Sequence, residues 1–419
     1  MAWNAAKVFR DRNAGLYLGA VLVSGFGNSA MALAAGIWVK TLTGSNSLAA
    51  LVGFCMWLPT FAGPVLGTVA DRVRRRPLLV ATNLALAAVM TAPFFVRSQD
   101  QVWLLFAVMT LVGTGMVLTD AAETALVAAA VPGELRGDFN GLVLTAMESM
   151  KLLAPLAGAG LFAALGGPAV GLLDAATFVL AAAAFGLIRV REAPPAARVG
   201  RAWTAETAEG ARYLRRHPVL RPLVVTSATA MMLAGLSSTA TYAMLDDGLH
   251  RSPAFAGVLT SLQGLGSVVS GLAAGTLMRR LPERTFAPAG LALLAIGVLA
   301  RAAPWTPVVL GGSLALGLGL PIPLVAALTA VQRHTPSELL GRVAATASTV
   351  MYAPTGLALL LGAGMVARLD YRVQLLAAGT VGLAAAAVLA TTGRTRHTPH
   401  AGEPVGVRPS PETEAAETT

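Results

Sequence analysis

Four charged residues interrupt two strongly apolar stretches of the chain: Asp120 and Glu123 in the first, Glu148 and Lys151 in the second. Within each stretch the two residues are three positions apart, so on a helix they share a face. If the two stretches form an antiparallel hairpin, the spacing places Asp120 level with Lys151 and Glu123 level with Glu148. The sequence therefore predicts an ion pair one helical turn deeper than a pair of carboxyl groups.

Such a quartet suits proton transfer. Two carboxylates in a low-dielectric site cannot both ionise at low cost, so the Glu123–Glu148 pair is expected to share a proton. A carboxyl group that gains and loses this proton would couple a process to the proton gradient, and Asp120 is the other candidate to move one. The alternative is structural: Glu123 bridges to Arg72 or Arg76, and the quartet holds the hairpin together. For Asp174, near the start of another apolar stretch, stabilisation by a helix N-terminus is expected.

Other reactive constellations are missing from the sequence. The single cysteine, Cys55, excludes an intrachain disulfide and a metal site built from cysteines. The five histidines have no ligand-like spacing, and no phosphate-binding glycine loop is present. Without a nucleophile–base or metal arrangement, we expect no enzyme activity, no cofactor and no bound metal.

The composition indicates which solvent the chain occupies. Hydrophobic residues make up 55% of the 419 residues and charged residues only 12%, against about 25% charged residues in soluble domains. A membrane span needs roughly 20 apolar residues. Twelve stretches qualify: Leu16–Val39, Leu48–Ala70, Leu78–Val96, Val102–Val131, Asn140–Leu165, Ala169–Val190, Val219–Leu245, Ala254–Met278, Ala287–Ala303, Thr306–Val331, Val343–Ala367 and Val373–Thr392. The sequence predicts an all-α polytopic membrane protein with 12 transmembrane helices.

The distribution of positive charge predicts the orientation. With the N-terminus inside, most of the 31 lysines and arginines fall in the inside segments. The net charge of +10 is then a topology signal, and nucleic acid is not expected as a partner. Both termini are predicted to be cytoplasmic. The excess of arginine over lysine is typical of a GC-rich genome. We expect a multi-pass protein of the plasma membrane of a bacterium.

The two halves of the chain echo each other. The segment 67–72 recurs at 275–280, and 132–137 recurs at 336–341. With six spans in each half, the repeats are parallel. The predicted organisation is an N-terminal arm (1–14), a six-helix bundle (15–190), a linker loop (191–218) with a short surface helix at Thr204–Arg216, a second bundle (219–392) and a disordered tail (393–419).

Residues 10–392 resemble the major facilitator superfamily. The loop after span two carries Gly67, Asp71, Arg72, Arg75 and Arg76 at the spacing of that family's Gly-x-x-x-Asp-Arg-x-x-Arg-Arg motif. The segments 173–178 and 131–135 resemble its exporter branch for drugs, macrolides and siderophores. Two positions depart from the branch: Asn28 stands where an aspartate is common, and the antiporter motif of span five is only partial at 154–159.

The resemblance implies roles for specific residues. Asp71 would face the N-terminus of span eleven, and the three loop arginines would bind acids of span four or lipid phosphates, which together would latch the cytoplasmic side. The alternative is that these arginines only set the topology. Spans one, four, seven and ten would line the substrate cavity. Their polar residues are Asn28, Thr110, Thr114, Thr119, Thr226, Ser237, Thr241, Tyr242 and Thr329.

The resemblance thus implies a secondary active transporter for the efflux of a drug-like or secondary-metabolite small molecule, and the acids favour coupling of this efflux to protons. We expect a monomer whose partners are this substrate, protons and membrane lipids. Two alternatives remain: an importer or facilitator of a small solute, and a membrane sensor or scaffold that transports nothing.

Overall fold

The fold is built from helices throughout the part of the chain that the computed structural model describes, residues 10–63, 66, 72–131, 135–190, 203–280, 283–336 and 339–392. Nine helical segments in these ranges are long and apolar enough to cross a membrane, and three further apolar helices are shorter. The twelve together match the predicted spans in order along the chain.

Each predicted span corresponds to a helix with its own bounds. In the first half, spans one to six contain helices Arg12–Thr43, Asn46–Trp57, Arg75–Val89, Val102–Ala130, Arg136–Leu165 and Gly167–Leu187. In the second half, spans seven to twelve contain helices Leu220–Thr239, Ala256–Arg280, Glu283–Ala300, Thr306–Gly319 with Pro321–His334, Leu340–Val366 and Tyr371–Thr392. A separate helix, Trp203–Arg216, lies in the linker and is called the linker helix below.

Polar caps extend span one beyond its predicted bounds. The Asp11 side chain accepts a hydrogen bond from the Ala14 amide at 2.8 Å, and Gly44 ends the helix with a φ of 67°. A left-handed residue at this position is typical of a helix C-terminus and favours glycine. Hydropathy locates only the apolar middle of the span, so it missed about one turn at each end.

Span ten divides into two helices at Leu320, just before Pro321. Proline has no backbone N–H to donate to the preceding turn, which explains the break. Pro354 of span eleven causes no such break, since the helix Leu340–Val366 continues through it.

The helices cross closely where glycines allow it. At Gly113 of span four, an added Cβ would lie 2.1 Å from the Met56 carbonyl oxygen of span two. At Gly317 of span ten, it would lie 1.9 Å from the Gln263 carbonyl oxygen of span eight. These obstructing atoms belong to the backbone, so a side chain at either position forces whole helices apart.

We therefore expect Gly317→Ala to destabilise the protein by about 1–3 kcal/mol, the usual cost of overpacking a tight interior contact. The matched control is Gly311→Ala on the same helix, where nothing lies within 4 Å of the added Cβ. Melting of the two purified variants, followed by fluorescence-detected size exclusion after heating, measures the difference. Equal melting temperatures would show that span eight can move away freely.

The spans pack as two six-helix bundles that meet along two equivalent seams. Span five of the first bundle packs against span eight of the second, and span two packs against span eleven. The linker helix packs on span eleven. We call the end of the molecule that carries the linker helix the linker end, and the opposite end, where residues 44–45 join spans one and two, the far end.

Candidate functional site

Span four carries the acidic pair Asp120 and Glu123 one turn apart, in the half of the helix that approaches the linker end. Asp120 is exposed and Glu123 is half-buried, and the two are close enough for their charges to interact. At 1.5 Å per residue, Glu123 lies about 10 Å from the helix end at Ala130. Both acids therefore lie within the depth of a membrane span.

Tyr17 of span one completes this group. Its hydroxyl donates a hydrogen bond to Oε2 of Glu123 at 2.9 Å. The Tyr17 ring is held edge-on by Phe139 at 5.3 Å and Phe185 at 5.8 Å, so the hydroxyl has a fixed position. Sequence reasoning missed Tyr17, because a tyrosine near the start of an apolar helix carries no distinguishing signal.

The rest of the predicted quartet lies on span five, whose helix Arg136–Leu165 includes both positions. The side chains of Glu148 and Lys151 lie outside the described part of the chain. The pairings with Asp120 and Glu123 therefore stay predictions.

The loop motif is described only in part. Gly67 and Asp71 lie outside the described residues, and Arg72 is exposed. The Arg76 guanidinium donates a hydrogen bond to the Gly186 carbonyl of span six. That bond ties the loop to its own bundle, and the contact with span eleven implied for Asp71 stays a prediction.

The candidate cavity residues separate into two groups. Asn28, Thr114, Thr119 and Thr329 are half-buried. Thr114 and Thr119 donate hydrogen bonds to carbonyls of their own helix, whereas Asn28 Oδ1 finds no donor among the described residues.

The residues of the second group lie on or just after span seven and contact other protein groups. Ser237 and Thr241 accept hydrogen bonds from the Arg301 guanidinium at 3.0 and 2.7 Å. Arg301 is 4% exposed, and its Nε has no partner among the described residues. Sequence reasoning missed Arg301, because it directly follows the helix of span nine and resembles an ordinary loop residue. A buried cation whose partners are neutral hydroxyls instead joins spans seven and nine.

Asp174 also differs from its expected setting. It is the eighth residue of its helix and completely buried, so the predicted stabilisation by the helix N-terminus is wrong. The Thr177 hydroxyl contacts its Oδ1 at 3.1 Å, while Oδ2 has no donor among the described residues. Gly27 of span one leaves the room for this carboxyl group, since an added Cβ would lie 2.4 Å from Oδ1.

Contacts between the two bundles close the far end. The Lys40 ammonium of span one lies 2.5 Å from Oδ2 of Asp246, just beyond span seven. The Ser47 hydroxyl donates to the Ala363 carbonyl at 2.7 Å, and the Tyr242 hydroxyl approaches the Leu33 carbonyl at 3.4 Å. Tyr242, predicted to line the cavity, therefore contacts the opposite bundle beside this closure.

At the linker end, His217 caps the helix of span seven. Its Nδ1 accepts hydrogen bonds from the amides of Val219 and Leu220, both at 3.3 Å. The rings of Tyr213 and His334 flank it at 5.6 and 5.5 Å. Partial burial, and then the proximity of His334, lower the pKa of His217 from its ordinary value of 6.5.

This capping predicts a pH dependence of stability. The unfolded chain binds a proton on His217 more readily than the folded protein does, so the contribution is complete above pH 6.5 and is lost as the pH falls below it. His217→Asn keeps a capping acceptor that does not titrate. We expect its melting temperature to fall less than that of the wild type between pH 7.5 and 5.5. His250→Asn, at the exposed His250 of the far end, should behave as the wild type; an identical fall in all three would contradict the assignment.

The sequence profile of the Major Facilitator Superfamily matches residues 17–246 and 223–416, nearly the whole chain. The chain belongs to the major facilitator superfamily. It is therefore a multi-pass membrane transporter of the major facilitator type, not an enzyme. The predicted family and the fold of 12 helices in two parallel six-helix repeats are confirmed.

Solved structures of other major facilitator proteins share this fold at low sequence identity. The peptide transporter POT, in complex with alafosfalin, has a TM-score of 0.71 and 15% identity, covering 91% of this chain and 94% of its own. A bacterial homologue of the iron transporter ferroportin, in an inward-facing state, has a TM-score of 0.70 and 16% identity. The match covers 91% of this chain and 99% of the homologue. The nucleoside transporter NupG has a TM-score of 0.68 and 13% identity, and the match covers 92% of this chain and 99% of NupG. No curated protein sequence matches the chain.

Proposed function

We propose that this major facilitator protein is a proton-coupled exporter of a drug-like or secondary-metabolite molecule. It would act by alternating access in a bacterial plasma membrane, with both termini in the cytoplasm. The observation that carries the proposal is the acidic pair Asp120 and Glu123, with the Tyr17 hydroxyl on Glu123, at membrane depth in span four.

The closed far end and the positively charged linker end support a role for Asp120 and Glu123 in proton exchange. The far end is joined by the Lys40–Asp246 ion pair and the Ser47–Ala363 hydrogen bond. Positive charge at the linker end favours the cytoplasm on that side. The two acids would then exchange protons with the cytoplasm in this state. After the two bundles move relative to each other and open the far end, the acids would exchange protons with the outside.

The coupling follows from charge. In the outward state, a carboxyl group of the pair would take up a proton as the substrate leaves. In the state seen here, it would release the proton towards the cytoplasm and recover a negative charge that favours the next substrate. The half-buried cavity candidates Asn28, Thr114, Thr119 and Thr329 are small, neutral polar residues. An amphipathic substrate, neutral or cationic, fits these groups and the acids better than an anion or a sugar.

The loop at 67–76 would restrain this cycle. We place Gly67, Asp71, Arg72 and Arg75 in a latch between the bundles on the cytoplasmic side, anchored by the bond from Arg76 to the Gly186 carbonyl. The latch would form when the linker end closes.

Inverted membrane vesicles with an acidic interior test the proposal. A pH-sensitive dye reports the gradient while a panel of lipophilic antibiotics is added one at a time. A compound that is exported enters the vesicle as protons leave, so the dye signal should recover in vesicles with the protein and stay quenched in vesicles without it. Compound accumulation without proton release would indicate a facilitator, and loss of a preloaded compound together with proton release would indicate a proton-coupled importer. No response to any compound would contradict export.

A further inference from the structure

One face of the linker helix packs against span eleven of the second bundle. Oε2 of Glu209 lies 2.7 Å from the Arg342 guanidinium of span eleven. At Gly210, an added Cβ would lie 2.5 Å from the Thr346 hydroxyl, and Leu214 is buried. These contacts fix the rotation of the helix about its axis and therefore decide which residues point away from the bundle.

The charged residues that point away are arginines. Arg212, Arg215 and Arg216 are all exposed, and Arg221 adds a fourth exposed arginine at the start of span seven. Arg212 and Arg216 are four positions apart, so their side chains are neighbours on one face. Neither forms an ion pair with a described residue.

Arg212 and Arg216 border a cavity of about 330 Å³. Its other walls are mainly apolar or aromatic and include Tyr213, Pro218 and Leu339. Glu209 is the acid among the described lining residues, and its carboxylate is already paired with Arg342. The cavity therefore combines two guanidinium groups that have no acidic partner among the described residues with an apolar floor, at a volume typical of small-ligand sites, about 300–1,000 Å³.

From this combination we infer that the cavity binds the phosphate headgroup of an anionic phospholipid. A guanidinium group binds phosphate oxygens in a bidentate manner, and basic pockets at helix ends recognise anionic lipid headgroups. The apolar walls suit the glycerol and the first acyl carbons, which a free phosphate lacks. The inference concerns the cavity at the linker helix and holds whatever the transported substrate and the direction of its transport.

The bound lipid would join three elements at one point. The cavity is lined by the linker helix, by His217 and Pro218 before span seven, and by Leu339 before span eleven. A headgroup in this position bridges the linker helix and the segments that lead into spans seven and eleven. It would fix the linker helix against spans seven and eleven.

The test uses the purified full-length protein in a neutral detergent, titrated with dihexanoyl phosphatidylglycerol or dihexanoyl phosphatidylcholine. Amide hydrogen exchange of residues 208–221 reports occupancy. We expect saturable slowing with phosphatidylglycerol and weaker binding of phosphatidylcholine. Arg212→Gln combined with Arg216→Gln should weaken phosphatidylglycerol binding roughly 30-fold, since each arginine contributes about fivefold.

Two controls make the outcome decisive. Arg97→Gln combined with Arg368→Gln removes the same charge from exposed positions of the far end and should leave binding unchanged. Arg212→Lys with Arg216→Lys keeps the charge but not the bidentate geometry, and should give an intermediate affinity. Equal binding of both lipids, or wild-type affinity in the glutamine variant, would overturn the inference. Glycerol phosphate that binds as tightly as the lipid would identify a free-phosphate site instead, which also overturns it.

Discussion

Replacing Glu123 with glutamine should abolish substrate-driven proton release from inverted vesicles, down to the level of vesicles without the protein. Glutamine keeps the size of the side chain and an oxygen that can accept the Tyr17 hydrogen bond, now 2.9 Å long. It cannot carry a proton at any pH of the assay. The expected result is loss of coupling with normal folding, measured by the dye signal and by the amount of monodisperse protein.

Asp174→Asn is the matched control for this experiment. Asp174 is also an acid inside the first bundle, but it is completely buried against Gly27 and far along the chain from span four. Its replacement should leave proton release intact, because the proposed coupling does not pass through it. Proton release that survives Glu123→Gln, together with a lower melting temperature, would assign the acidic pair to the scaffold.

Tyr17→Phe removes the hydrogen bond to the Glu123 carboxyl group and leaves the carboxyl group itself in place. Tyr17 is a positioning residue: it removes no proton itself, but its hydroxyl orients Oε2 of Glu123. Loss of the hydroxyl should shift the pH profile of proton release and leave the maximum rate partly intact, whereas a merely structural role would lower the melting temperature without moving the profile.

The fold was predictable because its main signal is local. Each span is marked by about 20 consecutive apolar residues, and the number and order of spans follow from that pattern alone. The helix ends were less predictable, since caps such as Asp11 and Gly44 lie outside the apolar window. The close approach at Gly317 was not predictable either, because a glycine in an apolar helix does not say which backbone it will meet.

The candidate site was predictable only where charge interrupts an apolar stretch. Asp120 and Glu123 stand out for that reason, and the structure places them one turn apart. The partner of Glu123 was not predictable. Tyr17 is 106 positions away, and only the packing of span one against span four brings the two residues together. Arg301 and Lys40 follow the same rule, since the sequence does not show the distant partner of either residue.

The far end illustrates how such a distant contact can control the state of the protein. Lys40 is 8% exposed, so its charge has little contact with solvent, while its partner Asp246 is 53% exposed. Lys40 also donates to the Gly44 carbonyl at 2.7 Å, which holds the ammonium group in place. The ion pair therefore links span one to the end of span seven only while the far end is closed.

Asp246→Asn should shift the protein towards the state that is open at the far end. The substitution leaves the buried Lys40 without its counter-charge, and a pair of this mixed exposure contributes about 1–3 kcal/mol. The ratio of open to closed molecules should rise roughly 5- to 150-fold. Spin labels at Gln99 and Arg368, both exposed at the far end, in a Cys55→Ala background, would show a larger population at long distance.

The adjacent acid provides the control for that shift. Asp247 is exposed, one position further along the same turn, and forms no ion pair with a described residue, so Asp247→Asn removes the same charge without touching Lys40. Its distance distribution should match that of the wild type. Combining Asp246→Asn with Lys40→Met removes the uncompensated ammonium group, and the population should return part of the way towards closed. If both single variants shifted the distribution equally, the effect would come from net charge at the far end and not from this ion pair.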